Sequence, residues 1–485
     1  MTAELGMATD LGPLLQPSSI AIIGASAAPD TIPGLPQRIL AQHRYDGAVY
    51  PVNPRHELID GLPCYPDIAA VPGPVDVALI VVNAAHVTGL VEQCGRAGVR
   101  FAVIISSGFA EQSGGAPRQD ELRAVCDRFP QMRVLGPNAE GHINVTDEIP
   151  VGFSPMTNYE RGLNRLRHGD VAVVAQSGGL GFALFNDGLG RGLGFSYVVT
   201  TGNEVDLDLA DVAAHLLDDP ATRVILLFVE GIDDPGRLAK LGAAARERGK
   251  YMIAAKVGGS EYGRRAALAH TAHDTGDHAR FVRALADGGI PVAADQEELV
   301  DLAMAFSRTK IPAGRRVGIV TTSGGSGTWL ADDIEAAGLE LPLLSSALQE
   351  RIGEKVPPYG SAANPVDTTA QVLSRGGIAP VLRLVADSGE VDAIALVATL
   401  ADGKQIEREQ DELRALAREL PLVIYSYTRP SGRSLELLEE LGIACFTSGR
   451  RTARALAALA SAGRVIDSSD TRMAQPACGS ERKPG

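Results

Sequence analysis

Apolar residues along this chain arrive in short, nearly unbroken runs, separated by longer stretches in which they recur every three or four positions. Runs of the first kind lack polar alternation, which predicts strands buried on both faces; the intervening stretches predict amphipathic helices covering a parallel sheet from both sides. The expected strands fall into three series. Residues 19–23, 48–52, 75–82, 101–105 and 133–135 make a Rossmann-like unit, and a loop rich in Gly, Pro, Asn and Arg from Pro150 to Gly169 closes it. Residues 171–175, 195–200, 223–228 and 251–256 make a second sheet of flavodoxin-like length. After a helix at 297–308 and a linker at 310–315, a third series follows at 316–322, 392–397, 422–425 and 444–447. The expected fold class is therefore α/β, with three open parallel-sheet domains at 1–150, 151–309 and 310–465 and a disordered polar tail at 466–485.

Composition narrows the function classes. The 485 residues carry a formal charge of -14, which disfavours a nucleic-acid backbone or an anionic membrane as the main partner. An anionic ligand then needs a local trap, such as a helix start. Cys64, Cys94, Cys126, Cys445 and Cys478 form no CxxC pair, so neither a zinc knuckle nor a disulfide framework is signalled. With acidic residues near the amino terminus and no run of about 20 apolar residues, neither a signal peptide nor a membrane span is expected, and the chain reads as cytosolic.

In the first domain, Gly24 and Ser26 follow the first strand directly, where a glycine lets backbone approach a phosphate and the next helix turns its positive end toward it. A plain turn glycine is an equally good reading of that pair. Three further segments end at the same sheet edge: VYPVNPRHELIDGLPCYP, VALIVVNAAHV and VIISSGFAE. In the first, Arg55 can pair with a phosphate. No acidic residue closes strand two, which argues against NAD and a dehydrogenase.

These segments, with LGPNAEGHIN, resemble the CoA-binding domain of the ADP-forming acyl-CoA synthetases and of the succinyl-CoA synthetase α subunit. The resemblance implies a CoA groove lined by Gly24, Ser26, Asn53, Pro54, Arg55, Asn83, Ser107 and Phe109, with Gly136, Pro137 and Asn138 in a loop reaching the reaction centre. Where that family has a cysteine and an apolar residue after the Asn, this chain has Ala139 and Glu140.

The second domain opens with VAVVAQSGGLG, in which Ser177, Gly178 and Gly179 lie between a buried strand and a helix. Exposed N–H groups at such a start form an anion site without net positive charge, although an N-cap serine with turn glycines is the commoner meaning of the pattern. The third domain repeats the chemistry at Ser323, Gly324, Gly325, Ser326 and Gly327, and the Asn364–Asp367 turn can brace it. Three histidines at 270, 273 and 278 share one loop and are spaced as metal ligands could be, but with no cysteine or second ligand cluster to support them no metal is expected.

The order TGNEVD, VILLFVEGIDDP and AALAHTAHDTG resembles the same synthetases. The resemblance implies that His270 accepts the phosphoryl group, that Glu230 orients it, and that the helix starts at Ser177 and Ser323 face each other across it, with Asn138 nearby. The family continues Gly-Ala-Leu after the threonine; here Ala272, His273 and Asp274 stand instead. It further implies the interconversion of acyl-CoA, phosphate and ADP with carboxylate, CoA and ATP. Nothing after Arg464 resembles an ATP-grasp domain, so a separate β subunit is expected to hold ATP or ADP and Mg2+ in a hetero-oligomer. The competing expectation is a non-catalytic CoA or acyl-CoA binder on the same scaffold. Acyl specificity is expected to involve the loop 150–167.

Overall fold

A computed structural model describes residues 9–160, 166–270, 276–374 and 377–463. The expected tail at 466–485 lies outside the described residues. The first sheet contains β1 (Ser19–Ile23) and β2 (Ala48–Val52); a small two-stranded hairpin, β3 (Leu58–Ile59) and β4 (Leu62–Pro63), intervenes before β5 (Val77–Ile80), β6 (Phe101–Ile104) and β7 (Arg133–Leu135). Its order is β2-β1-β5-β6-β7, with every pair parallel. The β1, β5 and β6 residues are all buried, as unbroken apolar runs require when helices cover both faces.

The second sheet departs from expectation at its beginning. Two short strands, β8 (Gly141–Asn144) and β9 (Ile149–Gly152), form an antiparallel hairpin that joins this sheet. They precede β10 (His168–Ala175), β11 (Phe195–Thr200), β12 (Val224–Val229), β13 (Tyr251–Lys256) and β14 (Val292–Ala293), in the order β14-β13-β12-β10-β11-β8-β9. The boundary expected at residue 150 therefore falls inside a hairpin of the second sheet. The physical reason is that Tyr197–Val199 of β11 would otherwise be a bare edge, which His142–Asn144 cover in antiparallel pairing.

The third sheet comprises β15 (Val317–Thr321), β16 (Val366–Asp367), β17 (Ala393–Ala398), β18 (Leu422–Ser426) and β19 (Ala444–Phe446), ordered β16-β15-β17-β18-β19 and wholly parallel. It is joined to the second sheet by a shared core. Leu299, Val300, Ala303 and Phe306 of the helix Gln296–Arg308 belong to the same apolar cluster as Leu456 and Leu459 of the helix Gly449–Ala462. Asp301, buried at that junction, holds Arg191 at 2.8 Å and also pairs with Arg451. Among the described residues, no helix is long and apolar enough to cross a membrane.

Candidate functional site

The site is built where the first two sheets meet at their carboxyl edges. After β7 the chain passes through Gly136, a cis Gly136–Pro137 bond and Asn138 at φ 60°. This loop lies directly on the turn following β11: Asn203 N–H donates to Pro137 O at 2.8 Å, and Val205 N–H to Gly136 O at 3.0 Å. Gly202 is required there, because a Cβ at that position would meet Pro137 O at 2.2 Å. Backbone hydrogen bonds thus fix the two domains edge to edge, and a cavity of about 990 Å³ opens between them.

That cavity brings together several residues expected from sequence. Asn83 and Ser107 line its first-domain end, and Asn138, Ser177, Gly178, Gly179 and Glu230 line its second-domain end. Asn83 also caps the helix Ala84–Arg96 by accepting Ala85 N–H at 3.0 Å. Gly24, Ser26 and Asn53 stand together at the edge of β1 and β2, where the Asn53 amide donates to Ala25 O at 2.9 Å. Pro54 and Arg55 are exposed beside them. Gly24, at φ 93°, is needed for packing, since a Cβ there would meet Val81 O at 2.5 Å. Phe109 is a correction. Its side chain is fully buried in the first domain's apolar cluster, so the ring packs the core and does not line a CoA groove.

The helix Gly178–Gly190 starts at the cavity with Ser177 as its N-cap. Its first-turn N–H groups and dipole favour an anion. Glu140 sits over that turn: a Cβ at Gly178 would lie 2.9 Å from Glu140 Cβ and 3.3 Å from its Oε2. Burial raises the Glu140 carboxyl above its ordinary range, partly offset by the Ser154 hydroxyl.

Glu230, only 7% exposed, follows β12. Its backbone is held by a bridge that sequence reasoning missed. Gln176 accepts Glu230 N–H at 2.6 Å and Gly231 N–H at 3.0 Å through Oε1, and donates through Nε2 to Gly231 O and to Glu204 Oε2, both at 2.7 Å. Glu204 also accepts from the Thr201 hydroxyl at 2.7 Å and from Leu209 N–H at 2.9 Å. Burial pushes its carboxyl up to about 8, against these donors, which favour the charged form. The Lys256 ammonium donates to Glu230 O at 2.7 Å.

His270 ends the helix Glu261–His270; its side chain, and Thr271 through Thr275 with Ala272, His273 and Asp274, lie outside the described residues. Ser323 through Gly327 start the helix Gly324–Ala336 on the third sheet and do not line the 990 Å³ cavity. Asn364 braces that sheet, accepting Ile319 N–H at 2.9 Å and donating to Val317 O at 2.8 Å.

Comparison with known proteins agrees with this layout. Residues 18–141 match the CoA binding domain, 168–306 the succinyl-CoA ligase like flavodoxin domain, and 317–396 the ligase-CoA domain. The chain is 32% identical over 451 residues to the α subunit of ADP-forming acetate–CoA ligase II from Pyrococcus furiosus, covering 91% of this chain and 96% of that subunit. The ADP-forming acetate–CoA ligase of Methanocaldococcus jannaschii is also 32% identical, over 72% of this chain but 48% of its own length. Among solved structures, the acetyl-coenzyme A synthetase 1 of Candidatus Korarchaeum cryptofilum with phosphate and ADP superposes with a TM-score of 0.82 at 32% identity, covering 93% of this chain and 97% of that one. Three α/β domains in this order, each built on a mainly parallel sheet, define an acid–thiol ligase scaffold. The chain belongs to the ADP-forming acyl-CoA synthetase family, with the extent of its α subunits.

Proposed function

We propose that this chain binds acyl-CoA and phosphate, forms an acyl phosphate, and carries its phosphoryl group on His270 toward ADP held by a separate ATP-grasp subunit. The observation that carries the reading is the continuous cavity from Asn83 and Ser107 to Ser177–Gly179 and Glu230. A phosphate oxygen attacks the thioester carbonyl, the C–S bond breaks, and CoA leaves as a thiolate that takes up a proton. An imidazole nitrogen of His270 then attacks phosphorus, the P–O bond to the acyl group breaks, and the carboxylate departs. Glu230 holds the ring's other nitrogen, fixing its tautomer, while the helix start at Ser177 offsets charge on the transferring group. Asn138 serves the same phosphate. Gly24, Ser26, Asn53, Pro54, Arg55, Asn83 and Ser107 hold CoA, and Ser323–Gly327, outside the cavity that takes free phosphate, acts only on the phosphoryl group once His270 has carried it away.

Support for a partner comes from the P. furiosus relative, which is named as a subunit α and is covered over 96% of its length. ATP or ADP and Mg2+ are assigned to that partner. Purified alone, the chain should acquire an acid-labile label from acyl-CoA and labelled phosphate, should lose it in His270→Ala, and should make no ATP from ADP. ATP synthesis without a partner, or a label that survives His270→Ala, overturns this reading; CoA binding without any label favours the non-catalytic binder.

A further inference from the structure

A second cavity, of about 650 Å³, adjoins the first and shares Glu140 and Gly179 with it. Most of its wall comes from two elements, with Glu140 and the start of the helix Gln296–Arg308 completing it. The helix Gly178–Gly190 contributes Gly179, Phe182, Ala183, Asn186 and Asp187, and the loop after β9 contributes Ser154, Pro155 and Met156. The helix positions are spaced i, i+3, i+4, i+7 and i+8, so they form one face; at 1.5 Å per residue that face runs about 10 Å from Gly179 to Asn186. Phe182, Ala183, Pro155 and Met156 make the nearer part apolar, and Asn186 and Gln296 make the far part polar.

We infer that this cavity receives the acyl chain, and that it selects an uncharged chain longer than acetyl, able to carry a hydroxyl at its far end. The inference rests on the function proposed above: with phosphate at the Ser177–Gly179 helix start, the thioester it attacks lies at the junction of the two cavities, beside Glu140 and Gly179. Size argues for length, because 650 Å³ lies within the roughly 300–1,000 Å³ of pockets that enclose drug-sized ligands, and two carbons would leave it almost empty. Charge argues against a second carboxylate. Glu140, Asp187 and Glu297 all reach the wall. The Arg191 guanidinium is held by Asp187 at 3.0 Å and Asp301 at 2.8 Å. Arg451 pairs with Asp301 and, at 2.8 Å, with Glu297. Each cation is thus shared between two carboxylates, and a dicarboxylate chain would meet net negative charge. A hydroxyl would find acceptors at Asn186 and Gln296.

The test uses the full chain with acetyl-CoA, hexanoyl-CoA, 6-hydroxyhexanoyl-CoA and succinyl-CoA, reading phosphate-dependent CoA release in a single turnover and, separately, binding by calorimetry. Wild type should bind and turn over both six-carbon substrates at least tenfold better than succinyl-CoA. Ala183→Trp should fill the cavity and cut hexanoyl-CoA binding at least tenfold, leaving free CoA and acetyl-CoA unchanged. Asn186→Leu, on the exposed rim, should lower 6-hydroxyhexanoyl-CoA relative to hexanoyl-CoA and provides the test if the tryptophan variant does not fold. Equal losses for acetyl- and hexanoyl-CoA, no response to either variant, or succinyl-CoA handled as well as hexanoyl-CoA overturn the assignment. Chain-length-dependent binding without CoA release would retain the pocket while removing the reaction; release without chain-length dependence would do the reverse.

Discussion

The turns at Ser177–Gly179 and Ser323–Gly327 are the same device in sequence, a buried strand followed by Ser-Gly-Gly and a helix, yet the structure surrounds them differently. At the first, the helix start opens on the 990 Å³ cavity beside Glu230. At the second, the turn is occupied with itself: the Ser323 hydroxyl donates to Ser326 Oγ at 3.1 Å, and Thr321 Oγ1 accepts Ser323 N–H at 2.9 Å. Each also has a carboxylate over its first helical glycine. Glu140 lies over Gly178, and Asp367 Oδ2 lies 2.7 Å from where a Cβ on Gly324 would stand. Asp367, however, comes from its own sheet, whereas Glu140 is carried in by the hairpin that links the first two domains. A helix start becomes a site through what is packed across from it.

The largest expected effect concerns that hairpin, which has no counterpart among the described residues of the third domain. His142, buried within it, is lowered by burial to about 4 from an ordinary 6.5. The unfolded chain therefore takes up the proton first: stability is complete above pH 6.5 and falls as the pH drops toward 4, by about 3 kcal/mol. Urea unfolding at pH 7 and pH 5 should show about 2 kcal/mol of this loss, and His142→Phe should flatten it.

Next comes the bridge behind Glu230. Glu204→Gln replaces one of two acceptor oxygens with an amide NH2, so that either the Gln176 Nε2 donor or the Thr201 hydroxyl and Leu209 N–H face another donor and a buried group is left unpaired, at a cost of about 1–3 kcal/mol. Phosphohistidine formation should slow by roughly 5- to 150-fold with CoA affinity unchanged; an unaltered rate would separate the bridge from the chemistry.

Glu140→Gln should then lower the KM for phosphate about tenfold, since like charges some 4 Å apart near a surface repel by about 1–4 kcal/mol. In wild type the same affinity should improve as the pH falls through the raised Glu140 titration, and the variant should lose that dependence. Asp367→Asn should leave the phosphate KM unchanged; an equal drop there would show that both turns serve one phosphate and would dissolve the contrast.

The finest comparison uses two glycines with no atom within 4 Å of an added Cβ. Gly179→Ala puts a methyl on the cavity wall and should raise the phosphate KM about threefold, because the backbone there must approach a ligand closely. Gly325→Ala should leave it alone.

Much of this architecture was legible because doubly covered strands announce themselves: Val224–Val229 is apolar throughout and buried throughout. The hairpin at 141–152 was not, because GHIN and IPVG are four residues each and have no period to read; only the need to cover β11 explains them. Phe109 was misplaced for a related reason, in that likeness to a family fixes a position in the chain but not the direction of a side chain. Gln176 stood in view beside Ser177, but its partners Glu204 and Glu230 lie 28 and 54 residues away, and only the fold makes them neighbours.

The helix Gln296–Arg308 offers a last consequence. Nine of its thirteen residues are buried, and they are shared between two sheets rather than belonging to either. Cutting the chain at 310–315 would strip Leu299, Val300 and Phe306 of their covering and leave Asp301 without Arg451. The last two domains are therefore one packing unit: drawn apart at that seam, each would expose apolar side chains, and Asp301 would lose one of the two cations that hold it.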